Sequence, residues 1–366
     1  MPHVPVNRMS QPAPSVSPGF QGPAALTAPN PAVQRAHRVL AALLGVAAAL
    51  LLLGLMAGSE GLSPAAFWSD LLGEQAGLLI GQIRLPRTLG AALVGALLGL
   101  GGALAQGVFR NPLADPYLLG SAAGASLGVV LVLALGSLLG PDGGAGLVGV
   151  LQRLGVVGAA FAGALGGVSL TVMLARGAQQ TVRLLLAGIV VGVLLTAIND
   201  LLTTLALEAL RGRQQFLLGS TALLGWPAVA VMAAGLAVAL PLARRSARVL
   251  DALTLGEDTA ASLGLDLNRW RLALLALMAL CTGLAVAQAG LIAFVGLVAP
   301  HVVRRLAPSA HGPLLAGSAA CGAVLLLAAD IAARTLRAPH ELPVGIVTAV
   351  LGGGYLVWLL HRRLRG

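Results

Sequence analysis

Lysine is missing altogether: every one of the 23 basic side chains in this 366-residue chain is arginine. A P-loop needs a Gly-rich turn closed by Gly-Lys-Ser/Thr, so nucleotide hydrolysis of that kind is excluded. Charge of either sign is scarce, at 10% of residues against about 25% in soluble domains, while 57% are hydrophobic. A water-soluble core cannot absorb that much apolar surface. Aromatics amount to 3%, which argues against an aromatic-lined ligand cage within a bilayer. The net charge of +10 suggests nucleic acid, but that reading requires arginines gathered on one face with interleaved aromatics. The two cysteines, Cys281 and Cys321, lie inside apolar runs and read as small hydrophobes, with neither a disulfide nor a metal site implied.

What is present is a succession of apolar windows, near residues 39–57, 88–109, 117–139, 146–175, 184–207, 222–243, 272–299, 313–329 and 342–360. Several reach the roughly 20 residues that a spanning helix needs to satisfy its own backbone in lipid. The stretch 272–303 exceeds one crossing, and Gly290 and Pro300 are placed to divide it into a full helix and a short one. The expected fold is therefore all-α: a polytopic integral membrane protein of about ten transmembrane helices with short re-entrant or surface helices. With ten passes and a cytoplasmic N-terminus, sixteen arginines fall on the inner side and seven on the outer, among them Arg84, Arg87, Arg334 and Arg337. That asymmetry obeys the positive-inside rule, so the charge reports orientation.

Residues 1–36 contain eight prolines with Ser, Gln and Asn, a composition predicting a disordered cytoplasmic tail ahead of a membrane domain over 37–366. Arg35, His37 and Arg38 before Val39 resemble a signal-peptide n-region, but the many later spans favour an uncleaved first helix. Glycines at small-xxx-small spacing, Gly95 with Gly99 and Gly188 with Gly192, predict close helix–helix approach.

The interruptions are more informative than the spans. Arg110-Asn111-Pro112-Leu113-Ala114-Asp115-Pro116 cannot continue a helix and must form a loop at the membrane surface. Another break follows Val298, at Ala299-Pro300-His301, and both follow a long apolar helix preceded by an arginine pair, a hint of two related halves. Between 244 and 271 lies a hydrophilic island with five arginines and four acids. Its leucine and alanine spacing predicts two short amphipathic helices beneath the membrane, serving as a partner-docking surface; a solvated connecting loop is the plainer alternative.

Three blocks carry a specific resemblance: the run from Arg84 to Gly124 containing RLPRTL and NPLADP, the LGEDTAASLG segment at 255–264, and residues 290–306 followed by 325–353 with DIAAR and ELPVG. They resemble the iron-siderophore, haem and cobalamin importer permeases of bacteria, the membrane subunits of type II ABC importers, in order over residues 37–366. The resemblance implies a non-catalytic inner-membrane subunit with ten helices and cytoplasmic termini. It implies a second permease subunit, two cytoplasmic ATPase subunits carrying ATP and Mg, and an extracytoplasmic substrate-binding protein; no cofactor or metal is bound directly. Arg84, Arg87 and Arg334 match arginines that receive acids of the binding protein, although an arginine at a helix end is otherwise an interfacial anchor. Leu255, Gly256, Glu257, Ala260, Leu263 and Gly264 match the coupling helices that dock into the ATPase, where Glu257 and Asp258 have basic groups to meet. The alternative for Glu257 is an acid at a helix N-terminus. Asn111, Pro112 and Asp115 match a cytoplasmic loop with a gating or structural role. The substrate implied is a large metal chelate: ferric siderophore first, then haem or cobalamin.

Three acids keep a second class open, an ion-coupled secondary transporter using Asp200 or Asp330. Asp330 stands four residues before Arg334, at a spacing that lets it orient that arginine, and Glu341 precedes Pro343 near the outer surface. Asp200 either lines a pathway or caps a helix break. A non-transporting scaffold is the third reading.

Overall fold

The computed structural model describes residues 31–58, 61–62, 67–68, 72–73, 76–138, 147–176 and 181–364. The chain opens with α1 (Pro31–Met56) and a two-residue hairpin, β1 (Ala57–Gly58) antiparallel to β2 (Gly61–Leu62). A π-helical turn at Leu79–Arg84 runs into α2 (Leu85–Val108). Pro86 has no amide with which to close the regular bond to Gln82, and the widened turn accommodates that gap. There follow α3 (Ser121–Leu138), α4 (Leu147–Leu174), α5 (Thr181–Leu205), α6 (Leu207–Leu218) and α7 (Trp226–Arg245). The short helices α8 (Ala247–Thr254) and α9 (Glu257–Ser262) lead to α10 (Leu267–Ala289), α11 (Val295–Leu306), α12 (His311–Thr335) and α13 (Val344–Leu364).

Eight helical segments among the described residues are long and apolar enough to cross a membrane. The shorter α3 and the 12-residue α11 bring the passes to about ten. The chain is thus all-α and polytopic. The expected tail lies outside the described residues as far as residue 30, but residues 31–36 belong to α1, so the tail ends earlier than its composition implied. Pro31 fits that start, since the first turn of a helix needs no proline amide.

The core is built around α2, which is buried along nearly its whole length. Glycine makes this possible. A Cβ on Gly95 or Gly99 would collide with the backbone of Gly322 or Ser318 on α12, and one on Gly102 with the carbonyl of Gly296 on α11. Helices that approach so closely gain dispersion contact where lipid supplies no hydrophobic drive. Gly124 and Gly163 similarly bring α3 against α4. The Gly188–Gly192 pair divides: Gly188 packs under the Leu118 carbonyl, whereas Gly192 faces open space.

The long window near 272–303 does break, at Gly290, which caps α10. Pro300 breaks nothing and lies inside α11. The carbonyl it leaves without an intrahelical donor is that of Gly296, which sits in the close contact with Gly102.

Candidate functional site

At the end of the bundle expected to face outward, four charged side chains form one cluster. Arg87, in the first turn of α2, donates to Asp330 at 3.3 Å and to Glu341 at 2.8 Å. Arg334, one turn beyond Asp330 on α12, pairs with it as the i,i+4 spacing predicted. Arg334 also donates to the carbonyls of Gly54 at 2.9 Å and Ala57 at 3.2 Å, and the Thr221 hydroxyl donates to Asp330 at 2.5 Å. Arg84 reaches the Leu55 carbonyl at 3.2 Å. Two guanidinium groups thus meet two carboxylates, and the cluster is neutral. It joins the end of α1, the starts of α2 and α7, the end of α12 and the loop before α13.

This arrangement corrects one expectation. Arg334 is only 3% exposed and has its donors engaged within the chain, so it is not a surface arginine awaiting an acidic partner. It ties α12 to α1 and shares Asp330 with Arg87. Arg84 and Arg87 lie closer to the surface, half-buried. Arg337, in the turn after α12, is an exposed basic side chain at this end, and no motif had singled it out. The guanidinium of Arg87 holds the Glu341 carboxyl below its ordinary value through their hydrogen bond.

The opposite end carries the loop and the coupling segment. Arg110 follows α2 with φ at +49°, turning the chain away from the helix axis. The Asn111 side chain accepts from the Leu113 amide at 2.9 Å and that of Asp115 from the Tyr117 amide at 2.8 Å, two successive local turns. Asn111, Pro112 and Leu113 are exposed. The loop then re-enters the protein: Tyr117 donates to the Ile292 carbonyl at 3.2 Å, and the Leu119 carbonyl accepts from Thr171 at 2.9 Å. Burial pushes the Asp115 carboxyl upward, with the Tyr117 amide opposing.

Beside this loop, α8 buries Val249, Leu250 and Leu253, with Leu250 under Gly107 at the end of α2. Asp251 accepts from the His311 backbone amide at 2.9 Å and lies 2.7 Å from its ring Nδ1, fixing α8 to the start of α12. On α9, Ala260 is fully buried, but Leu255, which caps the end of α8, and Leu263, which caps the end of α9, are 66% and 63% exposed. Gly256 and Gly264 bound the helix at φ +106° and +80°, conformations open to glycine but costly for other residues. Glu257 does not point outward to a basic partner as expected: it pairs with Arg110 at 3.1 Å and Arg271 at 2.6 Å. Nothing in the local spacing signals these pairs, since Glu257 and Arg110 are 147 residues apart.

Between the two ends, Ile189, Gly192, Val193, Thr196, Ala197 and Asp200 on α5 line an open groove of about 450 Å³. Asp200 is 60% exposed and pairs with Arg213 of α6 at 2.7 Å. Because α5 continues to Leu205, Asp200 lines the groove and does not cap a break. Asp330, shared between two arginines and a threonine, is equally ill-suited to take up an ion. Among the described residues, no group of three or more His, Cys, Asp or Glu side chains is placed to hold a metal.

Comparison with known proteins agrees with this architecture. Residues 46–362 match the model of the FecCD transport family. The chain is 40% identical over 311 residues to the vitamin B12 import system permease protein BtuC of Escherichia coli O17:K52:H18, spanning 85% of this chain and 90% of the relative. It is 40% identical over 316 residues to the BtuC of Escherichia coli O9:H4, spanning 86% and 92%. A solved structure described as an inward-facing conformation of a metal-chelate type ABC transporter superimposes with a TM-score of 0.77 at 26% identity. It covers 89% of this chain and 99% of that one.

Proposed function

From the premise that the chain belongs to the FecCD transport family, as a multi-pass permease of an ATP-binding-cassette importer, we propose that its cargo is cobalamin. The 40% identity to vitamin B12 permeases over 311 residues supports that choice over the ferric siderophore that family breadth alone had put first. The solved metal-chelate relative at 26% identity supports the wider class of large chelates.

A second copy of the permease, two cytoplasmic ATPase subunits carrying ATP and Mg, and an external substrate-binding protein complete the assembly. The observation behind this arrangement is the contrast between the ends of the bundle. One presents Leu255 at the end of α8 and Leu263 at the end of the short, glycine-bounded α9, apolar side chains that no other part of the described chain covers. The other presents Arg84 and, within the neutral cluster, Arg87, with the exposed Arg337 at the same end. An incoming carboxylate reaches Arg87 by displacing Glu341, whose side chain is 38% exposed, so docking exchanges one ion pair for another. Arg334 acts beneath, through the Asp330 carboxylate that it shares with Arg87. Both termini are assigned to the cytoplasm, an orientation that the arginine distribution supports.

Reconstitution in proteoliposomes with the cognate ATPase and binding protein tests the reading. Nucleotide-dependent cobalamin uptake is expected, exceeding uptake of a ferric siderophore, and Arg84→Glu with Arg87→Glu should abolish its stimulation by the binding protein. Uptake that follows an ion gradient without nucleotide would sink the importer assignment; equal uptake of the two chelates would sink the cargo.

A further inference from the structure

We propose that Glu257 is the tie through which the coupling helix moves the loop at the end of α2, with Arg110 as its receiving end. This rests on the importer reading above and names the residue that carries force inward from the ATPase contact. Three features of the geometry converge on it. First, α9 is six residues long and bounded by Gly256 and Gly264 at positive φ, so it can shift as a unit relative to α8 and α10. Second, the exposed Leu263 caps its C-terminal end while its grip on the rest of the chain consists of the buried Ala260 and the charged Glu257. A push on Leu263 therefore reaches the membrane helices through those two points.

Third, a single carboxylate oxygen of Glu257 accepts from both Arg110, at 3.1 Å, and Arg271, at 2.6 Å. Arg271 is 2% exposed and sits in the first turns of α10. Its charge is held out of water, and a carboxylate beside it anchors Glu257 against a fixed point. Arg110 is the mobile partner: it is exposed, it lies in the left-handed region at φ +49°, and it immediately precedes Asn111 and Pro112. The segment it leads re-enters the bundle as far as the Tyr117 hydrogen bond to Ile292, in the break between α10 and α11. Displacement of Glu257 is thus relayed along a covalent path from Arg110 to the middle of the protein.

A half-exposed ion pair contributes little to stability, so Arg110→Gln folds normally and isolates the link. The full transporter, reconstituted with its ATPase and binding protein, should show uptake per ATP hydrolysed reduced about five-fold in Arg110→Gln, the lower end of typical coupling between sites. ATP turnover and co-purification of the ATPase should be unchanged. Arg110→Lys should restore the ratio, and Arg110→Gln should add nothing in a Glu257→Gln background. An unaltered ratio in Arg110→Gln overturns the proposal, as does loss of ATPase binding, which would make Arg110 a docking contact. A partner-free arm separates this from failure of the importer reading: hydrogen exchange of residues 111–119, measured on the full chain in lipid nanodiscs, should rise in Arg110→Gln. Unchanged exchange there overturns the tie whatever the transporter does.

Discussion

Asp330 is fully buried, and its charge is compatible with that position because Arg87, Arg334 and Thr221 all donate to it. Removing the charge reverses the balance: Asp330→Asn leaves Arg334 in a nearly closed site with its counter-ion gone, a change that costs about 3–5 kcal/mol. The unfolding temperature of the purified protein in detergent should fall accordingly, and more than for Arg337→Ala, which alters only an exposed side chain. Glu341 adds a pH dependence whose sign follows from its lowered pKa. A carboxylate depressed in the folded state contributes stability above its unfolded pKa and loses it as pH falls through the folded value. Thermal stability should therefore decline below pH 4.5, and Glu341→Gln should remove that part of the decline. The i,i+4 spacing of Asp330 and Arg334 made their pairing readable from the chain alone. The burial of Arg334 was not readable, because it depends on Gly54 and Ala57, which stand 280 and 277 residues earlier.

Between elements, contact is decided by which face of a helix meets a neighbour. Gly95 and Gly99 were recognisable as a packing pair because their spacing is local, and both lie against α12. Gly188 and Gly192 have the same spacing, yet only the first meets another backbone, since no local signal says how far a neighbouring loop extends along α5. The two pairs give opposed expectations. Gly99→Leu must displace the Ser318 backbone, and overpacking of that kind costs about 1–3 kcal/mol; size-exclusion chromatography after mild heating should show early loss of the folded peak. Gly192→Leu meets open space, so the variant should fold like wild type while filling the α5 groove, and uptake of the proposed cargo should fall with no loss of thermal stability. Pro300 carries the same lesson. As a residue type it announces a break, but the break lies at Gly290, and the glycine contact between Gly102 and Gly296 allows the proline to remain within α11.

For the molecule as a whole, the two charged ends define its polarity across the membrane. An impermeant maleimide should label Arg337→Cys in right-side-out vesicles and Asp258→Cys only after permeabilisation, since both positions are exposed at opposite ends. The native Cys281 and Cys321 are buried and should stay unlabelled in the folded protein. The reverse pattern would invert the orientation inferred from the arginines. The fastening of α1 also bears on how the protein is made. This helix leaves the ribosome before the other described helices, yet it buries little of its own surface, and the carbonyls of Gly54 and Ala57 at its end are claimed by an arginine on α12. During synthesis α1 has to wait in the bilayer, loosely held, until the 280 residues that separate Gly54 from Arg334 have been made. A helix made early is thus among the last to be locked, and the completion of α12 acts as a late checkpoint on assembly.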